Sequence, residues 1–584
     1  MKINKYLALV AGAMVFFTSC VKDLETVPMN PWDPTADNTY GADETAYIQG
    51  LGRIYKMLNS HNLTDLTGVD GGASETFRSF WACQEISADA AKVAWGGDAW
   101  TDAVNKNTWT DTENDVISGI YYRAMQTVAY ANEYLRQTSA DKLAERGVEA
   151  DVQKRIAMYR DEARFLRAFY YWILVDCFGS VPFGTEADAV GTELPQASRA
   201  TIYNFIVSEL EALVGENSNL PVDPEYPRAG KGAALGLLSR VYLNAEVYSG
   251  TPAWDKCKTT CEKLFQLNKY DLCSNYGDLF RGDNGQNPDA LKELIFTADY
   301  DATVAQSYGG TSFLTLAATA STDIANYGCP TGVNGGWGGI RTTYEYAKMY
   351  FDVKDVDWTA GTYTCDDARG QFFWLKDKVD EETQEKIDKG EMTLDEVILR
   401  HSSMKDELSQ FKAGWTCWKY NNIPHDKTAE EYKETASSTA FASIDYPIIR
   451  LGEIYLTYAE ACRELGQTAT GLPYLAKLAE RAGVSAPTAA QVEGDVNVKA
   501  ESEDANFAAN VDFFIAERAR ELMWEGHRRT DLIRHNLFHS EAYLWPYKGG
   551  DSFNGQAFDA GRNVYPIPAS QLRVYPGLRN PDIY

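Results

Sequence analysis

The sequence predicts a mainly α fold: a scaffold of helical pairs interrupted by a long, loop-rich insertion with short β elements. Three observations lead there. Residues 155–183, RIAMYRDEARFLRAFYYWILVDCFGSVPF, write a long helix that is apolar on more than one face. Ile156, Tyr159, Ala163, Leu166, Tyr170 and Ile173 recur at steps of three and four, and Phe165, Phe169 and Trp172 repeat the pattern one position round. Such a helix has to be packed on several sides. Helical periodicity also recurs in couples along the chain, with small residues at the expected crossings. From 267 to about 445 this regularity fades, and a long irregular segment in a helical protein is a natural seat of function.

The elements follow in chain order. Lys2 and Lys5 precede an apolar run over 6–17 and then Thr18-Ser19-Cys20, which reads as a signal peptide over 1–19, too short to span a membrane permanently. A cysteine directly after small residues resembles a bacterial lipobox, so Cys20 is the expected lipidation site; ordinary secretory cleavage beside an incidental cysteine is the alternative. Val21-Lys22-Asp23-Leu24-Glu25 is similar to the export signal of surface lipoproteins, and 20–43 read as anchor and tether. The folded part is expected over 44–584, beginning with a helix over 45–58. Residues 68–114 read as loop, yet Trp81, Trp95, Trp100 and Trp109 put four of the fourteen tryptophans in 29 residues, too dense for a connector. Helices are expected over 117–135, 155–176, 201–213, 230–247 and 254–266. Arg160, Arg164 and Arg167 form a stripe on the second, and Gly179 and Pro182 mark its end. The couples, with Ala163, Ala168, Ala233 and Ala234 at the crossings, resemble tetratricopeptide repeats.

Within the insertion, 293–298 reads as strand, six glycines fall between Tyr327 and Gly339, and 376–407 is a charged loop. Helical pattern returns over 448–464, 472–482 and 511–525, before the loop-like segments YLWPYKGG and VYPIPASQL.

Aromatic residues make up 12% of the 584, more than a core requires, so some are expected on the surface for a purpose. A formal net charge of −28 argues against nucleic acid and against adhesion to anionic lipid, which need basic patches. Neutral ligands or other proteins are the natural partners. Nine cysteines follow Cys20, odd in number and without a C-x-x-C pair, and read as buried thiols rather than a disulfide framework. Glu525-Gly526-His527-Arg528-Arg529 lacks a second histidine four residues away and reads as a buried Arg–Glu network. Asp283-Asn284-Gly285-Gln286-Asn287 hints at calcium but fails the loop spacing, so a solvated turn is expected there. No metal or cofactor is expected, and no carboxylate spacing singles out a catalytic pair.

Five segments carry a family resemblance: EARFLRAFYYWILVDCFGSVPF (162–183), RAGKGAALGLLSRVYLNAEVYSG (228–250), DYPIIRLGEIYLTYAEA (445–461), AERARELMWEGHRRTDLIRHNLF (516–538) and VYPIPASQL (564–572). In this order, behind a lipoprotein signal, they resemble the SusD family, the surface glycan-binding lipoproteins of Bacteroidetes nutrient uptake. The likeness extends to the family's founding starch binder. It implies a non-catalytic protein, lipid-anchored on the outer face of the outer membrane. It would bind starch or maltooligosaccharides and pass them to a SusC-like TonB-dependent transporter. A binder of another glycan, a surface glycoside hydrolase and a purely structural lid are the alternatives.

By the same resemblance, Trp95, Tyr308 and Trp337 would form an aromatic arc matching the curvature of an α-glucan helix, with Asp70 and Arg78 hydrogen-bonding hydroxyls. Tyr543-Leu544-Trp545 would stand near the sugar as well. Where the starch binder carries an asparagine after its arc tryptophan, this chain reads Gly96-Gly97-Asp98, and Asp98 can only accept. The chemistry fits: sugar C–H faces pack on flat rings while edge hydroxyls need short polar partners.

Overall fold

In a computed structural model of the chain, the residues described are 39–61, 72–351, 355–358, 360–376, 381–393, 396, 404–405, 408–435, 440–498 and 510–584. Cys20, the expected lipidation site, and the rest of the expected tether to residue 38 lie outside them.

The central helix runs from Ala150 to Phe178, and from Phe165 to Phe178 every side chain is buried. It packs on Asp115–Gln137, on Arg199–Val214 and on Thr45–Lys56, which explains why it is apolar all round. Gly179 ends it at φ +70°, a conformation that favours glycine. Its arginines bind the neighbours. Arg164 donates to both carboxylate oxygens of Glu209, at 3.0 and 3.2 Å, Arg167 donates to one of them at 2.8 Å, and Arg160 donates to the Leu135 carbonyl at 2.7 Å.

Further helices then stack in pairs. Lys231–Leu243 packs on Trp254–Gln266, that helix on Leu451–Glu464, and the latter on Thr468–Ala482. Ala163, Ala168, Ala233 and Ala234 are all buried at 0% exposure, which permits the close approach small residues were expected to give. The fold is mainly α with helical pairs of the tetratricopeptide kind, and its strands are short.

Several boundaries differ from the sequence expectation. The segment expected as helix over 230–247 divides at Asn244 into Lys231–Leu243 and Ala245–Ser249. The stretch expected as helix from 448 opens instead as strand Tyr446–Arg450, paired antiparallel with Leu294–Ala298, and helix begins at Leu451. This strand is buried along its whole length, so its Ile-Ile pair reads equally as strand or helix by periodicity. The two strands close the base of the irregular segment between them. The helix expected over 511–525 is strand Asn510–Asp512 and then helix Phe513–Glu521, stopping before Trp524 at φ +61°.

The largest departure is 68–114. It contains helix Thr76–Trp81, a π-helical turn Ala82–Ile86 and helix Ala99–Asn105. Trp81, Trp100 and Trp109 are core residues there, and only Trp95 of the four is half-exposed. The charged loop over 376–407 likewise contains a helix, Glu381–Asp388.

Candidate glycan-binding surface

The surface forms where three distant segments meet. Strand Lys92–Val93 pairs antiparallel with Ile340–Arg341, and the Ala94 amide donates to the Gly339 carbonyl at 2.7 Å. This ladder sets Trp95 beside Trp337. The Trp337, Gly338 and Gly339 amides in turn donate to the carbonyls of Leu316, Thr319 and Ala317, at 2.7, 2.9 and 2.9 Å. The glycine-rich strip is thereby docked on the end of helix Gly310–Ala317. Any Cβ on Gly339 would collide with the Trp95 indole, so glycine is required where the strip crosses that ring.

The rings gather around Phe313, which is fully buried. Trp95 and Trp337 lie 6.3 and 6.5 Å from it, centroid to centroid. Tyr308 lies 6.3 Å from Trp337 with the planes 46° apart, and Trp95 Nε1 stands 3.5 Å from the Trp337 carbonyl. Tyr308 is 49% exposed and Trp337 38%, placing both among the few large exposed aromatics of the described residues. Arg78 spreads its guanidinium 4.7 Å over the Phe313 ring and its Nη1 donates to the Tyr308 carbonyl at 3.4 Å. Asp98, in the turn after Trp95, is exposed and makes no side-chain cap on the helix it precedes, so its carboxylate faces water.

Five of the six expected ligand-binding residues are thus described: Trp95, Tyr308, Trp337 and Arg78 gather around Phe313, and Asp98 stands in the turn after Trp95; Asp70 is outside the described residues. Sequence reasoning missed Phe313 beneath the rings and Phe441, whose ring is 4.9 Å from Tyr308. Helical spacing from Gly310 could have flagged Phe313; no local pattern announces Phe441. Tyr543 and Trp545 are a correction. Both are buried, and the Tyr543 hydroxyl donates to Asp89 at 2.6 Å in a core shared with Arg528. They face away from solvent because the closing loop packs inward on the Phe538 ring.

The polar constellations resolve as follows. Glu525 pairs with Lys419 at 2.7 Å and Arg450 at 2.6 Å; Arg528 grips Asp89, and Arg529 meets Asp176 at 3.2 Å, a buried network as expected. Burial, with Arg240 and Arg518 nearby, holds His527 well below the usual imidazole range. The turn at Asp283 is only partly solvated: Asn284 is buried and donates to the carbonyls of Leu279 and Asp445, each at 2.8 Å. Asp283, His425 and Asp426 bring ligand-capable atoms within 4.8 Å of one another, the first two hydrogen-bonded at 2.5 Å. That bond is the chief cause that raises the His425 imidazole. The nine cysteines after Cys20 are thiols, eight buried and Cys365 half-buried. A hollow of about 560 Å³ lies elsewhere, beside Arg369, Asp367, Glu517 and Arg520, whose charges pair with one another.

Known proteins point the same way. The profile of the SusD family matches residues 292–584, and a second, described as "Starch-binding associating with outer membrane", matches 63–243. The starch-binding protein SusD of Bacteroides thetaiotaomicron is 28% identical over 583 residues, 97% of this chain and 96% of that protein. A SusD-like protein of Formosa agariphila is 23% identical over 574 residues, covering 97% and 96%. Among solved structures, a SusD-like protein from Bacteroides fragilis superposes with TM-score 0.64 at 18% identity, covering 94% of this chain and 98% of that one. Surface glycan-binding protein A from Bacteroides thetaiotaomicron, solved with laminarihexaose, gives 0.62 at 19% identity, covering 92% and 99%.

Proposed function

The chain belongs to the SusD family, and from that premise we propose that it binds starch-type α-glucans on the Trp95, Tyr308 and Trp337 face, without cleaving them, and delivers them to a SusC-like TonB-dependent transporter. The observation that carries this reading is the gathering of Trp95, Tyr308 and Trp337 about a buried Phe313, with the Tyr308 and Trp337 planes 46° apart, Arg78 over the Phe313 ring and an exposed Asp98 in the turn after Trp95. Tilted rings suit a curved chain of sugars better than a flat one. Each ring offers a face to sugar C–H groups, Arg78 donates to hydroxyls and Asp98 accepts from them. The likeness to a starch-binding relative over nearly the whole chain supports the choice of α-glucan. Lipidation at Cys20 would hold the protein at the outer membrane, where the second matching profile is named for association. No helix of the described residues is long and apolar enough to cross a membrane.

A second glycan has a specific observation in its favour: a relative of the same fold was solved with laminarihexaose, a β-glucan. Calorimetric titration with maltoheptaose and with laminarihexaose separates the two. A shallow platform should bind maltoheptaose at about 0.1–1 mM and release no reducing sugar over hours. Binding of laminarihexaose alone would replace the α-glucan assignment, and sugar release would overturn the non-catalytic one.

A further inference from the structure

Behind the aromatic face lies a carboxylate that touches both of its halves. Glu75 is fully buried. Its Oε2 accepts from the Arg78 amide at 2.7 Å and also from the Gly310 amide at 2.7 Å, while Oε1 accepts from the Tyr300 hydroxyl at 2.6 Å. The first amide belongs to the turn of helix that carries Arg78, the second to the loop that has just carried Tyr308. The loop is pressed hard onto this group. A Cβ on Gly309 would collide with the Glu75 side chain and one on Gly310 with the Tyr300 ring, and Gly310 stands at φ +47°.

We infer that Glu75 is a positioning residue of the glycan site: it touches no sugar, and by accepting from both backbones on one oxygen it fixes where Tyr308 stands relative to Arg78. The inference rests on the binding role proposed above for that face. Its physical basis is acceptor geometry rather than charge. The Tyr300 hydroxyl can turn to accept as well as donate, so a group with one acceptor oxygen and one donor reproduces all three contacts. Glutamine is such a group. Aspartate is not, because one methylene less withdraws the oxygen from at least one amide, and a buried amide left unpaired is costly.

The test uses the full chain, with affinity read by maltoheptaose calorimetry and by migration through native gels cast with starch, which still register weak binders. Glu75→Gln should bind within about twofold of wild type, and Glu75→Asp roughly tenfold more weakly with an unchanged circular dichroism spectrum. In a Tyr308→Ala background the Glu75→Asp loss should nearly vanish, because the residue acts through that ring; a merely structural role would give additive losses. Gly309→Ala, which pushes on Glu75 from the loop side, carries the same expectation and decides the matter should Glu75→Asp fail to fold. Wild-type affinity in a folded Glu75→Asp or Gly309→Ala protein, or additivity with Tyr308→Ala, would overturn the inference. If wild type binds laminarihexaose instead of maltoheptaose, the α-glucan assignment falls and the same cycle is read with that sugar. A wild type that binds neither removes both.

Discussion

Tyr308 offers a nearly half-exposed ring whose value to a sugar lies in its face rather than its hydroxyl. Tyr308→Phe should therefore bind maltoheptaose within about twofold of wild type, since ring stacking survives; a loss as large as that of Tyr308→Ala would assign the contact to the hydroxyl. Asp98→Asn should be neutral or mildly favourable, because an amide donates as well as accepts, and a clear loss of affinity by calorimetry would mean that the carboxylate charge is used. At this scale the sequence was legible only through the family resemblance. Trp81, Trp95, Trp100 and Trp109 look alike locally, yet three are core and one lines the open face. What separates them is a ladder between residues 92–93 and 340–341, a tertiary fact with no local signature. The same blindness explains Tyr543 and Trp545, which carry the aromatic composition of a site and the burial of a core.

The helices of the scaffold were legible because their apolar period is long and their ends carry stops, as Gly179 does for Ala150–Phe178. Short elements were not, since two to five residues cannot establish a period, and Tyr446–Arg450 was absorbed into the helix that follows it. That strand ends in Arg450, which is buried and paired with Glu293 at 2.8 Å, Glu521 at 2.7 Å and Glu525 at 2.6 Å. Arg450→Leu would remove one buried cation from three carboxylates that keep only Arg481, Arg369 and Lys419 between them, leaving negative charge uncompensated in the core, and should cost roughly 3–5 kcal/mol of stability by denaturant melting; a change under about 1 kcal/mol would mean the network tolerates repacking. The π-helical turn Ala82–Ile86 holds a second titratable group, Glu85, whose Oε1 accepts from the amides of Gly526 and His527 at 2.7 and 2.9 Å. Burial pushes its carboxyl up to about 7 from an ordinary 4.5, against the pull of those amides. The native state then keeps a proton the unfolded chain has lost, so this contribution is full below pH 4.5 and is lost as pH rises through 7. Relative to Glu85→Gln, wild type should lose roughly 3 kcal/mol of stability between those limits, and parallel stability curves for the two would contradict it.

For the whole molecule, the net charge of −28 suits neutral ligands better than nucleic acid or anionic lipid, and the signal peptide expected over 1–19 makes Cys20 the proposed lipidation site. Cys20→Ala should release the protein from membranes or leave it unprocessed; full membrane retention in cells lacking the transporter would contradict lipidation at that site. A lid over a transporter needs an interface above roughly 2,000 Å² to be stable, so affinity purification after mild detergent extraction should recover a larger β-barrel with it. Recovery of the chain alone would count against delivery. The central claim, that the tilted rings are the glucan platform, is tested most directly by maltoheptaose calorimetry on wild type, Trp95→Ala and Trp337→Ala, with circular dichroism to verify the fold. Each truncation should remove about 1–2 kcal/mol of binding, a roughly tenfold loss, while folding survives at these partly exposed positions. Unchanged affinity in both folded variants would contradict the platform.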